Sequence, residues 1–333
     1  MSMVSGVRWG VLTHAAGPRD AASELADTVG LAVLAEELGF ASFWLAQHHL
    51  GAQQGRASSP LVVLAAVAAA TSRIRLGTAV VVASLEHPLR LAEDAATVDV
   101  LSGGRLELGL GAGSDPGVAE AFGADPAQRH ARLGAALDAL TDTGPAVTPR
   151  APGLRERLWL ATSSPEGVDT AARHGLGLLS GRRSGPAGPD DRRSAGLLAR
   201  FRAAGGARVG LSRPVLPGSS RAAVHALLAP HVARRGHDPA AWFAAGNVHA
   251  GTGPEVRTAL EADPCLPYAT DLLCHVQPAR LTLAELRPVL RGLAELAGTP
   301  PVAAGPGTTG ATPAGRGGAR CGPLSPAAAP DRP

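Results

Sequence analysis

IRLGTAVVVASLEHPLRLAEDAATVDVLSGGRLELGLGAG, residues 74–113, holds a strand, a helix and a second strand in one run. Ile74, Leu76, Thr78 and Val80 share one parity and Arg75, Gly77, Ala79 and Val81 the other, the period of an extended chain whose side chains alternate between faces. After Pro88 the apolar residues fall at Leu91, Ala95 and Val98, which line one side of a helix, and Gly103 and Gly104 stop it. Alternation resumes from Arg105 to Gly111, with Leu106, Leu108 and Leu110 on one face. A helix between two strands makes a right-handed βαβ crossover, so the strands are expected to be parallel.

The second parity is the more specific. With Ile74, Leu76 and the later leucines turned toward covering helices, Arg75 and Glu107 lie side by side on the opposite face, where only a matched pair is tolerable. Farther along that face the strands shrink to Gly77 and Ala79 and to Gly109 and Gly111. Charge packed at one end and missing side chains at the other suit an α/β fold of the (β/α)8 or TIM-barrel kind, filled at its floor and hollow at its C-terminal mouth, where barrel enzymes hold their sites. An open parallel sheet would also accommodate the pattern.

Working outward, residues 7–12 read as the first strand, ending at Thr13 and His14, and a helix through Leu25, Val29 and Ala32 follows until Gly39. Residues 43–46 form a second strand that runs into Gln47, His48 and His49, and an alanine-rich helix follows from Pro60 to Thr71. Later strands are expected at 158–161, 176–180, 207–216 and 270–276, separated by helices, with a turn around Trp242 and a last helix at 282–297. Residues 1–297 thus make a single domain. Residues 298–333 are mostly Gly, Pro, Ala and Thr with too little large apolar content to fold, and are expected to be a disordered tail.

Composition narrows the function. The 31 basic residues, all arginine, against 28 acidic ones leave +3, an excess too small and too dispersed for a nucleic-acid surface, and 3% aromatics offer no stacking platform for bases. Cys265, Cys274 and Cys321 have neither metal spacing nor even pairing, which points to a reduced, cytoplasmic setting and to no metal site. The start, MSMVSGVRWG, lacks the basic and apolar regions of a secretion signal, and the apolar run 61–70 is too short to cross a bilayer.

Several residues could carry chemistry. His14 would stand at the barrel mouth, as a polar lining residue or a catalyst. Adjacent His48 and His49 cannot both point inward from a regular strand, and residues 50–54 offer no further metal ligand. Thr162, Ser163, Ser164 and Pro165 open a helix, a pattern that serves a phosphate or a simple cap equally. Arg213 lies in a strand and either lines the site or is paired. Glu93, Asp94, Asp99 and Arg105 fall at the stability end of the barrel and read as structural. The glycines at 109, 111 and 113 fail as a dinucleotide loop, because Ser114 and Pro116 stand where the motif needs a third glycine and a long helix.

The run HPLRLAEDAATVDVLSGGRLELGLGAG, with GFASFWLAQHH before it, resembles the luciferase-like monooxygenase family of flavin-dependent enzymes, from about Arg8 to about Leu296 and most closely from Phe40 to Gly123. The resemblance implies a barrel that takes reduced FMN from a separate NAD(P)H-dependent flavin reductase and passes one atom of dioxygen to a small organic substrate, as a homodimer without nucleic-acid or membrane partners. Hydride transfer with a deazaflavin, or a flavin-binding barrel that has lost catalysis, are the alternatives. The family word is usually Glu-His-His, and its first histidine borders the flavin and assists proton movement; that role falls on His48, while Gln47 replaces the glutamate. The family's non-proline cis peptide beneath the ring corresponds to Ala79–Val80. Gly111 would let the ring or substrate approach, Ala112 replaces an arginine that helps relatives with phosphate, and flavin phosphate would fall at Thr162, Ser163 and Ser164. His14 and Arg213 are expected to border the substrate pocket.

Overall fold

The computed structural model describes residues 6–51, 55–141, 147–182 and 187–299. In chain order the elements are β1 (Arg8–Thr13), α1 (Ala21–Glu37), β2 (Ser42–Leu45), α2 (Pro60–Ala70), β3 (Arg75–Thr78), β4 (Val81–Val82), α3 (Pro88–Leu101) and β5 (Leu106–Gly111). Then come α4 (Pro116–Ala121), α5 (Arg129–Thr141), β6 (Leu158–Ala161), α6 (Pro165–Arg173), β7 (Gly177–Gly181), α7 (Asp191–Ala203) and β8 (Val209–Pro217). The last are α8 (Arg221–Arg234), α9 (Pro239–Ala244), β9 (His249–Gly251), α10 (Gly253–Glu261), β10 (Asp271–His275) and α11 (Leu283–Ala297).

The strands pair in parallel in the order β10, β1, β2, β3, β5, β6, β7, β8, and β8 pairs back to β10, so the sheet closes into a barrel and the open-sheet alternative falls away. β4 continues the β3 stave and pairs with β5, and β9 extends the end of β8. In the decisive unit the strands are parallel as expected, with Leu76 opposite Leu106 and Gly77 opposite Glu107, and Arg75 reaches Glu107 from two residues back along β3. Ile74, Leu76, Leu106, Leu108 and Leu110 are buried in the layer between barrel and helices, where Leu91, Ala95 and Val98 of α3 meet them.

Local chemistry explains the element ends. Asp20 accepts from the Ser23 N–H at 3.0 Å to start α1, and Thr282 and Glu285 form a reciprocal capping box on α11. Arg105 closes α2 by donating to the carbonyls of Ala68 and Thr71, each at 3.0 Å, and Asp99 pairs with Arg157 at 2.5 Å. Both therefore serve structure, as their positions at the stability end imply.

Inside the barrel, Glu107 pairs with Arg75 and accepts from the Trp159 indole at 2.7 Å, while Arg208 lies over the same indole at 4.5 Å. Trp44 and Trp159 meet edge to face with centroids 5.6 Å apart, packed with Leu12, Leu179 and Leu273. The small residues on the inner face make room for these indoles: a Cβ on Gly77 would stand 2.1 Å from Trp44 Cε3, and one on Gly177 2.2 Å from Trp159 Cε3. The hollow begins above that layer.

Beyond Ala79 the alternation departs from the expected parity: Val81 is buried in the outer core, and Val80 and Val82 turn toward the mouth. α4, α9 and β9 have no counterpart among the expected elements, and α9 replaces the turn around Trp242. Gly298, at φ 66°, caps α11, and the Thr299 hydroxyl donates to the Leu38 carbonyl at 2.9 Å, so the folded body reaches 299. The expected tail, 298–333, lies from residue 300 onward outside the described residues, as does Cys321. Among the described residues, no helix is long and apolar enough to cross a membrane.

Candidate active site

The mouth is built by the C-terminal ends of the strands, and three of those ends carry histidines: His14 after β1, His48 after β2 and His275 at the end of β10. Segment 55–58 holds the first two together, because the His48 N–H donates to the Ala57 carbonyl at 3.0 Å and the Arg56 N–H to that of Ala15 at 3.1 Å. A side chain at Gly55 would strike the His48 ring, at 2.4 Å from Cδ2.

His14 Nδ1 and His48 Nε2 are 2.7 Å apart, with the rings nearly parallel at 18°, so one nitrogen donates and the other accepts across a single shared proton. His275 approaches His14 edge-on at 5.7 Å and leaves its Nδ1 buried without a partner among the described residues. Burial pushes the His48 imidazole down to about 4 and that of His275 to about 3, and holds His14 well below the usual histidine range. All three rings are therefore neutral near pH 7, each with one donor and one acceptor nitrogen, and suit relaying a proton better than storing one.

Two cavities flank the non-proline cis bond Ala79–Val80. A central chamber of about 440 Å³ lies between the ends of β1, β7, β8 and β10, lined by His14, Ala79, Ser212, His275 and Gln277 among others. A side chamber of about 560 Å³ lies beside β2, β4 and β5, lined by Gln47, His48, His49, Val80, Val82 and Ala112 with Arg129 at its edge. Both have the size of ordinary small-molecule sites.

Gln47 is buried and ties this region together. Its Oε1 accepts from the Val82 N–H at 2.6 Å, and its Nε2 donates to the Ser58 carbonyl at 2.9 Å and to Glu86 Oε1 at 3.3 Å. The carboxylate that Gln47 lacks is thus supplied at one remove by Glu86. His49 packs its ring against Phe122 at 4.7 Å, and its Nε2 is buried without a described partner.

The expected site residues divide accordingly. His14, Gln47, His48, Ala79 and Val80 come together at the mouth. Gly111 lines neither chamber; a Cβ there would stand 2.8 Å from Val80 Cγ2, so it makes room for Val80. Ser164 caps α6 by accepting from the Gly167 N–H at 3.1 Å, Thr162 accepts from the Ser164 N–H at 3.2 Å, and Ser163 is exposed.

Arg213 corrects the expectation of a pocket residue. It shares parity with Val209, Leu211 and Val215, faces outward, and is fully buried against Asp263, with Nε 2.5 Å from Oδ2; its neighbour Ser212 lines the chamber instead. Asp191, Asp263 and Cys265 bring three ligand-type atoms together there. The place of a cation is taken by guanidiniums, Arg213 on Asp263 and Arg182 on Asp191 at 2.5 Å, and burial pushes the Cys265 thiol up to about 12.

Sequence reasoning missed His275, Arg182, Arg235, His237 and Gln277. His275 carried the same signal as His14 and His48, a histidine where a barrel strand ends.

Comparison with known proteins bears on this geometry. The model of the luciferase-like monooxygenase family matches residues 7–263. A 4-hydroxyprotoasukamycin monooxygenase from Streptomyces nodosus subsp. asukaensis is 41% identical over 110 residues, 33% of this chain and 29% of the relative. The crystal structure of monooxygenase RslO1 from Streptomyces bottropensis superposes with a TM-score of 0.76 at 23% identity, covering 87% of this chain and 98% of that one. The oxygenating constituent of 3,6-diketocamphane monooxygenase from Pseudomonas putida, in complex with FMN, gives a TM-score of 0.68 at 16% identity, covering 87% and 97%. The matched stretches span half or less of the length of the curated relatives matched first. A closed barrel with histidines at its mouth, matched by one family model over most of its length, leads to one conclusion: the chain belongs to the luciferase-like monooxygenase family.

Proposed function

We propose that the chain is a flavin-dependent monooxygenase that receives reduced FMN from a separate NAD(P)H-dependent reductase and transfers one oxygen atom from O2 to a small organic substrate at the barrel mouth, working as a cytoplasmic homodimer. The observation that carries the reading is the hydrogen-bonded His14–His48 pair beside Ala79–Val80, in a member of this family.

The residues present fit a flat, partly apolar cofactor: backbone is open at Ala79 and Val80, and two buried imidazole nitrogens, on His49 and His275, await partners. Gln47, Ala79 and Val80 would hold the ring. Ser163, the one serine at the start of α6 not spent on a described hydrogen bond of its side chain, would face the phosphate. Reduced flavin, when bound, supplies the electrons that activate dioxygen.

The protein's own contribution is to exclude water and move a proton. Leu12, Trp44, Trp159, Leu179 and Leu273 close the floor. A proton taken up at His48 Nδ1 releases the one at Nε2 to His14 Nδ1, and His14 gives up its own from Nε2, so neither ring stays charged in a site where charge is poorly solvated.

The test is rapid mixing of the protein and reduced FMN with oxygen. An oxygen-dependent absorbance transient, lasting longer than that of free flavin, is expected, and His48→Ala should shorten it while flavin affinity is kept. Oxidation of a reduced deazaflavin without oxygen, together with no such transient for FMN, would overturn the proposal in favour of hydride transfer. Flavin binding with neither behaviour would mark a barrel without catalysis.

A further inference from the structure

The proton relay leaves the charge of the central chamber unexplained. No aspartate or glutamate is among the described residues lining it, whereas Arg182, Arg235 and His237 are. The two arginines differ in kind. Arg182 is buried and matched to Asp191 at 2.5 Å, while Arg235, at the C-cap of α8, is exposed and its guanidinium has no hydrogen bond or ion pair among the described residues. A cation at a helix C-terminus complements the dipole, and that would explain an arginine there. It does not explain why this one lines the chamber, near enough to His14 and His48 to disfavour their protonation. Gln277 and Ser212 add neutral hydrogen-bonding groups on the same wall.

We propose that the central chamber holds the anionic end of its ligand, a carboxylate on the organic substrate, with Arg235 as the cation and His237 and Gln277 as further hydrogen-bond donors. The assignment to the substrate rests on the reading above, in which Gln47, Val80 and the start of α6 place the cofactor on the β2 to β6 side and leave the β7, β8, β10 and β1 side free. A guanidinium recognises a carboxylate through paired, charge-assisted N–H donors, which an uncharged analogue cannot match.

Calorimetric binding to the full chain, with no reductant and no turnover, tests this independently of the oxygenase reading. The probes are benzoate and its uncharged counterpart benzamide. The wild-type protein is expected to prefer benzoate by roughly tenfold, the range of one charged hydrogen-bonded contact. Arg235→Gln should abolish the preference and Arg235→Lys should keep most of it. Arg234→Gln, one residue earlier and lining neither chamber, should leave it unchanged.

A second arm compares FMN with riboflavin. Arg235→Gln is expected to alter neither, and a loss confined to FMN would move the cation to the cofactor phosphate and overturn the substrate assignment. Equal affinity for the two benzene probes, failure of benzoate to bind in the millimolar range, or a preference that survives in Arg235→Gln would overturn the anion site itself.

Discussion

Gln47→Glu restores the family's usual residue and should nevertheless destabilise this protein. The amide donates from Nε2 to the Ser58 carbonyl at 2.9 Å and to Glu86 Oε1 at 3.3 Å, so a carboxylate in the same pose aims an oxygen at two acceptors. Two like charges at 3.3 Å repel by about 5 kcal/mol at an effective dielectric of 20. Glu86 is partly exposed, which screens this to roughly 2–3 kcal/mol, and the unpaired Ser58 carbonyl adds about 1 kcal/mol. With a urea slope near 3 kcal/mol per molar, the midpoint should fall by about 1 M at pH 7.5. Glu86→Gln alone loses one long hydrogen bond and should cost under about 1 kcal/mol. The double variant lets the new amide at 86 donate to the new carboxylate at 47, so most of the repulsive part should return, leaving only the Ser58 carbonyl unmatched. Lowering the pH to 5 should narrow the gap between the single variant and wild type, since a proton shared by the two carboxyls relieves the repulsion. An unchanged midpoint for Gln47→Glu, or a double variant no more stable than the single, would refute the claim that charge has been moved from position 47 to position 86.

Three other outcomes follow from the packing. Asp263→Asn leaves Arg213 charged with both side chains only 1% exposed, so it should cost roughly 3–5 kcal/mol in urea unfolding, whereas Arg213→Met with Asp263→Leu should recover most of the loss and Asp169→Asn, in the exposed pair with Arg200, should not shift the midpoint. The imidazoles of His48 and His275, pushed down to about 4 and about 3, are neutral in the fold and bind protons more readily in the unfolded chain. Their contribution is present above pH 6.5 and lost as the pH falls toward those values, on the order of 3 kcal/mol for His48, so the midpoint should drop between pH 7 and 5 and drop less in His275→Gln. Gly77→Ala drives a methyl to within 2.1 Å of Trp44 and should cost about 1–3 kcal/mol, with a change in tryptophan emission that reports displacement of the indole.

The barrel was legible because its layers impose different periods on one chain. Leu76 and Leu106 must face the helices while Arg75 and Glu107 must neutralise each other inside, and both demands are written in alternation. Gly77 was legible as a small residue and not as the seat of Trp44, because a glycine shows that something comes close and not what it is. His14 and His48 could be placed from strand ends alone. Arg213 could have been excluded by parity, since it alternates with Gly210 and Ser212 and keeps company with Val209 and Leu211, yet the expectation followed residue type over period. Arg235 and His237 lie beyond reach of that kind of reading. They arrive at the mouth because α8 packs through Val224 and Leu228 on Leu216 of β8 and Ala250 of β9, a closeness in space that no local pattern records.

Solvation explains why charge is distributed across this mouth as it is. Where water cannot reach, arginines survive only when matched, as Arg213 is with Asp263 on the outer side of β8 and Arg182 with Asp191. At the mouth, His14, His48 and His275 remain polar by giving up charge, which keeps a donor and an acceptor on every ring at little electrostatic cost. Only at the rim, where α8 meets solvent, can Arg235 stay charged without a partner among the described residues. A ligand entering such a gradient is sorted by its own polarity: its apolar body is favoured toward Leu12 and Ala79, its exchangeable proton toward the histidines, and its charge toward the entrance. On the reading proposed above, the same ordering would set which end of a substrate meets the cofactor, since an anionic group reversed into the floor would meet two tryptophans and arginines already paired with Glu107.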